Sequence, residues 1–382
     1  MKPATIMVVA GDPSGDAIAA DLVRDLAAAL PGARFIGAGG PKMAAAGVAN
    51  SFDLTTDAVI GLSDVLRILP RFFRHKRQLA RLAAEQKPEL IVLVDFEFFN
   101  RFLSRAIRRR ASPGWQPKIV KYVSPQVWAS RPGRAAKMAR DFDLLLCLFP
   151  FEKDWYARRV PALRVEFVGH PMFDRYAAPV RKPSQVPTVL LLPGSRRAEL
   201  KRHLPVIVGA AQLIAAQQTA RFSLVAPNHE MAGLARAFLA GAGPEIEIQI
   251  GRLEEALSEA TVAIASTGTV TLECAWFGVP TVALYKTSLW TYWIARQMVT
   301  VDYLSMPNIL ANEPLFPEFI QGQATAPNIA AAALELLADP ARRAQKQSKL
   351  ARTIGALGGP GAARRACAAI LKLSDAAKKE AI

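Results

Sequence analysis

IASTGTVTLECAWFGVP, residues 264–280, runs from a short apolar stretch through a small hydroxyl-rich turn into a helix-like stretch. The apolar run over 261–265 predicts a strand, Ser266, Thr267, Gly268 and Thr269 form the turn, and a helix follows. A strand that hands its chain straight to a helix is the repeating unit of a parallel α/β sheet. The first amides of that helix have no carbonyl one turn behind them, and the helix dipole adds positive potential. The junction therefore suits an anion such as a diphosphate. Glu273 lies four residues after Thr269, one turn deeper on the same face, where a carboxylate can accept hydrogen bonds from ribose hydroxyls. A phosphate turn beside a sugar-reading acid points to a nucleotide. An ordinary capped helix with a solvated glutamate fits the same residues.

The same alternation extends in both directions. Strand-length apolar runs fall near 5–10, 34–37, 90–95, 118–123, 144–148 and 164–168, and again near 188–192, 221–226, 245–250, 261–265 and 281–285. Between the two sets, residues 171–187 are polar and carry Pro179, Pro183 and Pro187, which marks a domain boundary. A chain of 382 residues is long for one core. The fold expected is α/β, with two Rossmann-like, doubly wound domains facing a cleft, over residues 1–170 and 171–355. An Ala-rich helical tail is broken at Gly358-Gly359-Pro360.

Composition narrows the class. Hydrophobic residues make up 51% and charged residues 21%, as in a soluble globular protein. Cys147, Cys274 and Cys367 are odd in number, far apart and in apolar contexts, which predicts reduced core thiols with no disulfide framework and no metal spacing. The chain enters a strand pattern at Thr5 without a basic flank and long apolar run, so no signal peptide is expected. No uncharged apolar run reaches the roughly 18 residues that span a membrane. A cytoplasmic protein is expected.

The net charge is +16, of which +10 falls within residues 1–170. Such an excess attracts anionic lipid, nucleic acid or phosphorylated substrates. VLRILPRFFRHKRQLARL, residues 65–82, mixes Phe72, Phe73 and other bulky apolar residues with five or more basic ones, as an interfacial membrane segment does. An amphipathic helix docked on its own domain has the same pattern. Nucleic acid is not an expected partner, because no binding motif or serial aromatic platform accompanies the charge.

In open parallel sheets ligands gather at the carboxyl ends of strands. The first strand ends in Gly11-Asp12-Pro13-Ser14-Gly15-Asp16. This is not the G-x-G-x-x-G of dinucleotide enzymes, and its acids suit a hydroxyl-rich ligand better than a phosphate. The third ends in Asp95-Phe96-Glu97-Phe98-Phe99-Asn100, which places Asp95 and Glu97 on a rim. The fourth leads into YVSPQVWASRPGR, residues 122–134. In the second half, Pro193-Gly194-Ser195-Arg196 follows a strand and offers a fixed charge to a phosphate.

These stretches, together with GAGGPKM (37–43), FVGHPM (167–172), LLPGSRRAEL (191–200) and SMPNILANEPLFPEFIQ (305–321), resemble the lipid-A-disaccharide synthase family, in that family's order and over nearly the whole chain. The resemblance implies a GT-B glycosyltransferase whose second domain binds a UDP-sugar and whose C-terminal helix, 356–382, returns to the first. It implies transfer of 2,3-diacylglucosamine from UDP to 2,3-diacylglucosamine 1-phosphate, giving a β-1,6 disaccharide with inversion, without metal or other cofactor. It further implies peripheral association with the inner-membrane surface and a homodimer.

UDP-sugar contacts are expected at Gly194, Ser195, Arg196, Ser266, Thr267, Gly268, Thr269, Glu273, Asn308 and Gln321. Acceptor and lipid contacts are expected at Ser14, Asp16, Asn100, Gln126, Trp128, Phe72 and Phe73. An inverting transfer needs a base. The family pattern Asp-x-Pro-Asp-Phe-Asn has its second acid replaced here by Phe98, so Asp95 ranks first, Glu97 second and Asp12 third. Ser130 likewise replaces a usual second tryptophan. These departures leave two alternatives: another UDP-sugar glycosyltransferase or epimerase of this fold, or a non-catalytic paralogue.

Overall fold

The computed structural model of the chain describes residues 4–55, 65–176, 178–182, 185–239 and 243–380. The side chains of 65–69 and 375–380 lie outside that description, as does Pro183 of the expected boundary. Contacts divide the chain into two units, Met1–Arg175 with Leu357–Ile382, and Tyr176–Ala356.

In the first unit, β1 (Thr5–Ala10) buries five residues in succession. A run without alternation must be covered on both faces, as the strands of a parallel sheet are. Beside it lie β2 (Arg34–Gly39), β3 (Ala49–Asp53), β4 (Leu90–Val94), β5 (Lys118–Tyr122), β6 (Leu144–Cys147) and β7 (Arg164–Phe167). They form a parallel seven-stranded sheet in the order β3-β2-β1-β4-β5-β6-β7. The winding reverses between β1 and β4, so the Gly11 turn and the Asp95 turn emerge side by side at the switch point. The helix Ala362–Glu380 belongs to this unit. The Asp174 carboxylate accepts the Ala362 amide at 3.0 Å and the Arg365 Nε donates to the Val168 carbonyl at 2.7 Å.

The second unit repeats the plan with β8 (Thr188–Leu192), β9 (Arg221–Ala226), β10 (Ile246–Ile250), β11 (Val262–Ser266), β12 (Thr281–Tyr285) and β13 (Glu318–Ile320). All pair in parallel, in the order β10-β9-β8-β11-β12-β13. Here the switch point lies between β8 and β11, which end at the Pro193-Gly194-Ser195 loop and the Ser266–Thr269 turn.

Two strands lack the apolar signal that marks the rest. β3, ANSFD, alternates half-buried with exposed residues at the sheet edge. β13 is three residues long and also lies at an edge. An edge strand shares less of its surface with the core, so its sequence is free to be polar.

Candidate functional site

In the second unit the carboxyl ends of β8 and β11 enclose a cavity of about 400 Å³. Gly194, Ser195, Arg196, Ser266, Thr267, Gly268, Thr269 and Glu273 all line it. Gly268 caps the helix Thr269–Trp276 with φ 154°, a backbone state that a side chain disfavours, and its carbonyl accepts the Thr271 hydroxyl at 2.7 Å. Gly194 has φ 116°, and a Cβ there would meet the Glu199 carboxylate at 2.8 Å. The Arg196 guanidinium is 80% exposed and pairs with Glu199 at 2.9 Å, leaving most of its donors turned to solvent. Glu273 stands one turn into the helix and accepts from the Tyr176 hydroxyl at 2.7 Å, which fixes its orientation. The pocket thus combines first-turn amides, a guanidinium and a carboxylate held by a tyrosine.

The other two residues expected there stand elsewhere. Asn308 is fully buried. Its amide nitrogen donates to the Phe316 carbonyl and to Glu318, each at 2.8 Å, and its oxygen accepts the Phe316 amide. It knits a loop and lines no surface. Gln321 lies at the end of β13, where its side chain clips Thr287 through both amide atoms.

In the first unit the switch point gathers acids. The Asp12 carboxylate accepts the Gly15 amide at 2.7 Å and caps the helix Pro13–Ala29. Burial, with the Asp95 charge adding to it, raises its pKa against the pull of its backbone hydrogen bonds. Asp95 and Phe96 are both left-handed, with φ 44° and 43°, a costly state for side chains. The Phe96 ring fills the space that a Cβ on Gly11 would need, 2.0 Å away, so the two turns lock together. The Asp95 carbonyl accepts from Asn100 Nδ2 at 2.6 Å and from Lys121 Nζ. Glu97 opens the helix Glu97–Arg108 and faces Arg134 at 3.5 Å. It therefore sits in the first turn of a helix and not on a strand.

Three expected contacts of the acceptor are committed to the fold. Asp16 is 2% exposed and accepts the amides of Gly40, Lys42 and Met43 at 2.8–3.1 Å, starting the helix Pro41–Ala45. Asn100 is fully buried and braces the Asp95 turn. Trp128 is buried and its Nε1 donates to Glu152 at 3.0 Å; burial pushes the Glu152 carboxyl up to about 7. Ser14 and Gln126 are exposed.

Phe72 is half-buried, and its ring meets those of Phe73, Phe98, Phe99 and Phe102. Phe73 and Phe98 are exposed by 47% and 60%, with Lys76 Nζ 4.7 Å over the Phe73 ring. Phe98, at the usual second acid position, thus extends an aromatic, basic face.

Lys121, His203 and Tyr176 are additions that the sequence reading passed over. Lys121 is 1% exposed within β5, with Asp95, Glu97 and Asp12 as its charged neighbours. His203 Nδ1 lies 2.7 Å from the Pro193 carbonyl and its Nε2 accepts the Lys286 amide at 3.0 Å. For Lys121 the signal is a charged residue inside an apolar strand, KIVKY; His203 follows Lys201 and Arg202 and carries no such signal.

Two doubly wound parallel sheets in one chain make the GT-B fold. Solved structures of that build cover this chain almost end to end. They include the calicheamicin glycosyltransferase CalG4 (TM-score 0.61, 18% identity, 97% of this chain and 99% of that one). Others are the UDP-GlcNAc 2-epimerase of Neisseria meningitidis bound to UDP-GlcNAc (0.62, 12%, 97% and 100%) and MurG of Acinetobacter baumannii (0.56, 15%, 97% and 100%). Residues 6–373 match the lipid-A-disaccharide synthetase family, and the chain belongs to it. The lipid-A-disaccharide synthase of Myxococcus xanthus is 35% identical over 97% of this chain and 98% of its own length. That of Alkalilimnicola ehrlichii is 36% identical over 96% and 97%.

Proposed function

We propose that the chain transfers 2,3-diacylglucosamine from UDP to the 6-hydroxyl of 2,3-diacylglucosamine 1-phosphate. The observation that carries this is the pocket of Arg196, the Ser266–Thr269 turn and Glu273 at a switch point, in a member of this family. As the acceptor oxygen bonds to the anomeric carbon, its proton passes to a carboxylate and the bond to the diphosphate breaks. Arg196 and the first-turn amides stabilise the charge that collects on departing UDP. Attack from the face opposite the diphosphate gives the β-1,6 disaccharide with inversion. The first unit takes the acceptor and the second the donor, and the reading includes a homodimer, the state implied by the resemblance.

Incubation with both diacylglucosamine substrates and detection of UDP and disaccharide tests the reaction. UDP release only with a simple sugar acceptor would make this a different glycosyltransferase. UDP binding without turnover would make it a non-catalytic paralogue; Phe98 in the altered acidic motif is the feature that favours either alternative. Within the pocket, Glu273→Ala weakens UDP binding by about 1–3 kcal/mol, the loss of a charged hydrogen-bond partner. An unchanged calorimetric affinity removes Glu273 from the site.

Among the described residues no helix is long and apolar enough to cross a membrane. Peripheral docking is proposed through the helix Val65–Gln86 and its aromatic neighbours Phe98 and Phe102. Phe73→Ser, at an exposed ring, lowers partitioning onto anionic vesicles by roughly tenfold, the worth of one buried phenyl group, and leaves the thermal transition in place. Phe72→Ser instead lowers that transition, because the ring packs on buried Phe99. Binding weakens with salt, since headgroup attraction is screened beyond about 10 Å at 0.1 M. Vesicle binding that ignores both salt and Phe73 would end this assignment.

A further inference from the structure

The second unit carries an apolar feature that the nucleotide pocket leaves unused. The helix Leu289–Met298 has no buried residue, yet Leu289, Trp290, Trp293 and Ile294 are each 56–79% exposed. A surface helix ordinarily turns its apolar stripe to a core, and a contiguous apolar patch left outside marks a binding surface. Leu289, Tyr292, Trp293 and Arg296 recur at helical spacing on one face. That face walls a cavity of about 730 Å³ whose floor is the ends of β12 and β13.

The polar groups of that floor answer one another. Gln321 Oε1 accepts the Thr287 amide at 2.7 Å and its Nε2 donates to the Thr287 carbonyl at 3.2 Å. Lys286 Nζ donates to the carbonyls of Gln321 and Ala324 at 3.0 and 3.1 Å. An apolar guest therefore leaves these groups paired, which lowers the usual penalty for covering polar atoms; Arg296 and Asp302 are the charged residues of the lining.

Its position is equally specific. The nucleotide pocket sits at the ends of β8 and β11, and this cavity sits at the ends of β12 and β13, next along the same sheet edge. With strands about 4.8 Å apart, the two sites are roughly 10 Å from one another. His203 joins them, one ring nitrogen on the loop before Gly194 and the other on Lys286 at the end of β12.

We infer that this cavity and the apolar face of the helix Leu289–Met298 hold a fatty acyl chain of the donor sugar while UDP occupies the adjacent turn. The inference rests on the reading above, in which the donor is an acylated sugar nucleotide. A chain leaving the sugar ring emerges within reach of the diphosphate, and this is an apolar surface on the same edge. Its concave form, walled by a helix, suits a single chain better than a bilayer or a second copy, which meet broad, flat faces.

Calorimetric titration with UDP, and with UDP-2,3-diacylglucosamine carrying long or short chains, tests the subsite. The wild type binds the long-chain donor most tightly, by up to about fourfold for each methylene buried. In a Leu289→Ser, Trp293→Ser double variant, altered only at exposed positions, the preference for long chains falls by about tenfold or more. Its UDP affinity and thermal transition stay as they were. Quenching of tryptophan fluorescence by a brominated acyl chain is lost in parallel.

Full chain-length preference in the variant places the chain elsewhere and overturns the proposal. So does a variant that keeps the preference but loses vesicle binding, or dissociates to single chains, since the face then serves a membrane or a second copy. Loss of UDP affinity as well would make the helix a support for the nucleotide pocket, again overturning it. If the wild type binds acylated donor no better than UDP, the acylated-donor reading itself fails. A wild-type preference untouched by the variant sinks the subsite alone.

Discussion

Replacement of Asp95 by Asn lowers turnover by about two to four orders of magnitude, the contribution of a positioned base, while UDP affinity is unchanged. Asp95 directly follows β4 at the switch point in a left-handed conformation, held through its carbonyl by Asn100 and Lys121. Strain retained at a ligand edge is characteristic of residues whose placement serves function. Its rivals have other partners. Glu97 faces Arg134, and the Asp12 carboxylate caps a helix. Glu97→Gln is therefore expected to slow the enzyme less than Asp95→Asn. Steady-state rates at saturating substrates check both. If neither change slows an active enzyme more than about tenfold, well short of a general base, the base passes to Asp12. Asp12→Asn then becomes a clean test of charge, because asparagine caps a helix as well as aspartate does.

The readable and unreadable parts of this chain separate along a physical line. β8, β9 and β12 were legible to the residue because strands buried on both faces must be apolar throughout. β3 and β13 were not, because an edge strand carries no such demand. The gathering of Gly194, Arg196, the Ser266–Thr269 turn and Glu273 around one cavity was legible for a related reason: strand–turn–helix junctions place their small and charged residues on one edge whatever the rest of the sheet does. What failed was deciding whether a polar residue at that edge faces outward or inward. Asp16, Asn100, Trp128 and Asn308 all stand in the first turns of helices that follow strands or loops, yet each satisfies buried backbone or side-chain groups. Loops at a switch point need such internal partners as much as ligands do, and composition does not distinguish the two uses. Phe98 illustrates the converse. As a missing acid it reads as a loss, but beside Phe72 and Phe102 it enlarges an exposed aromatic face.

Replacement of Lys121 by Met stabilises the protein at neutral pH and slows the reaction. Lys121 lies in the middle of the first sheet, opposite Leu93 on one side and Leu145 on the other. Burial lowers its pKa to about 8, even though Asp95, Glu97 and Asp12 pull it upward. Below pH 8 the folded protein thus carries a buried ammonium whose desolvation exceeds all it gains from those acids. Relative to an ordinary lysine near 10.5, that costs about 3 kcal/mol. Between pH 8 and 10 the unfolded chain keeps this proton and the folded chain sheds it, so Lys121 makes stability rise with pH across that window. Met carries no charge to bury. It forfeits the hydrogen bond to the Asp95 carbonyl, worth about 1 kcal/mol, which leaves a net gain of about 2 kcal/mol at pH 7. Denaturant unfolding at pH 7 and pH 10 reads the difference between the two proteins, in which other titrations cancel. The Met variant should lead at pH 7 and lose that lead by pH 10. The same variant leaves the left-handed Asp95 turn with Asn100 as its brace, so kcat falls while UDP affinity holds. A Met variant that is less stable at pH 7, or a difference that does not change with pH, would show that the ammonium is comfortably accommodated. A stable variant with undiminished kcat would separate Lys121 from the placement of Asp95.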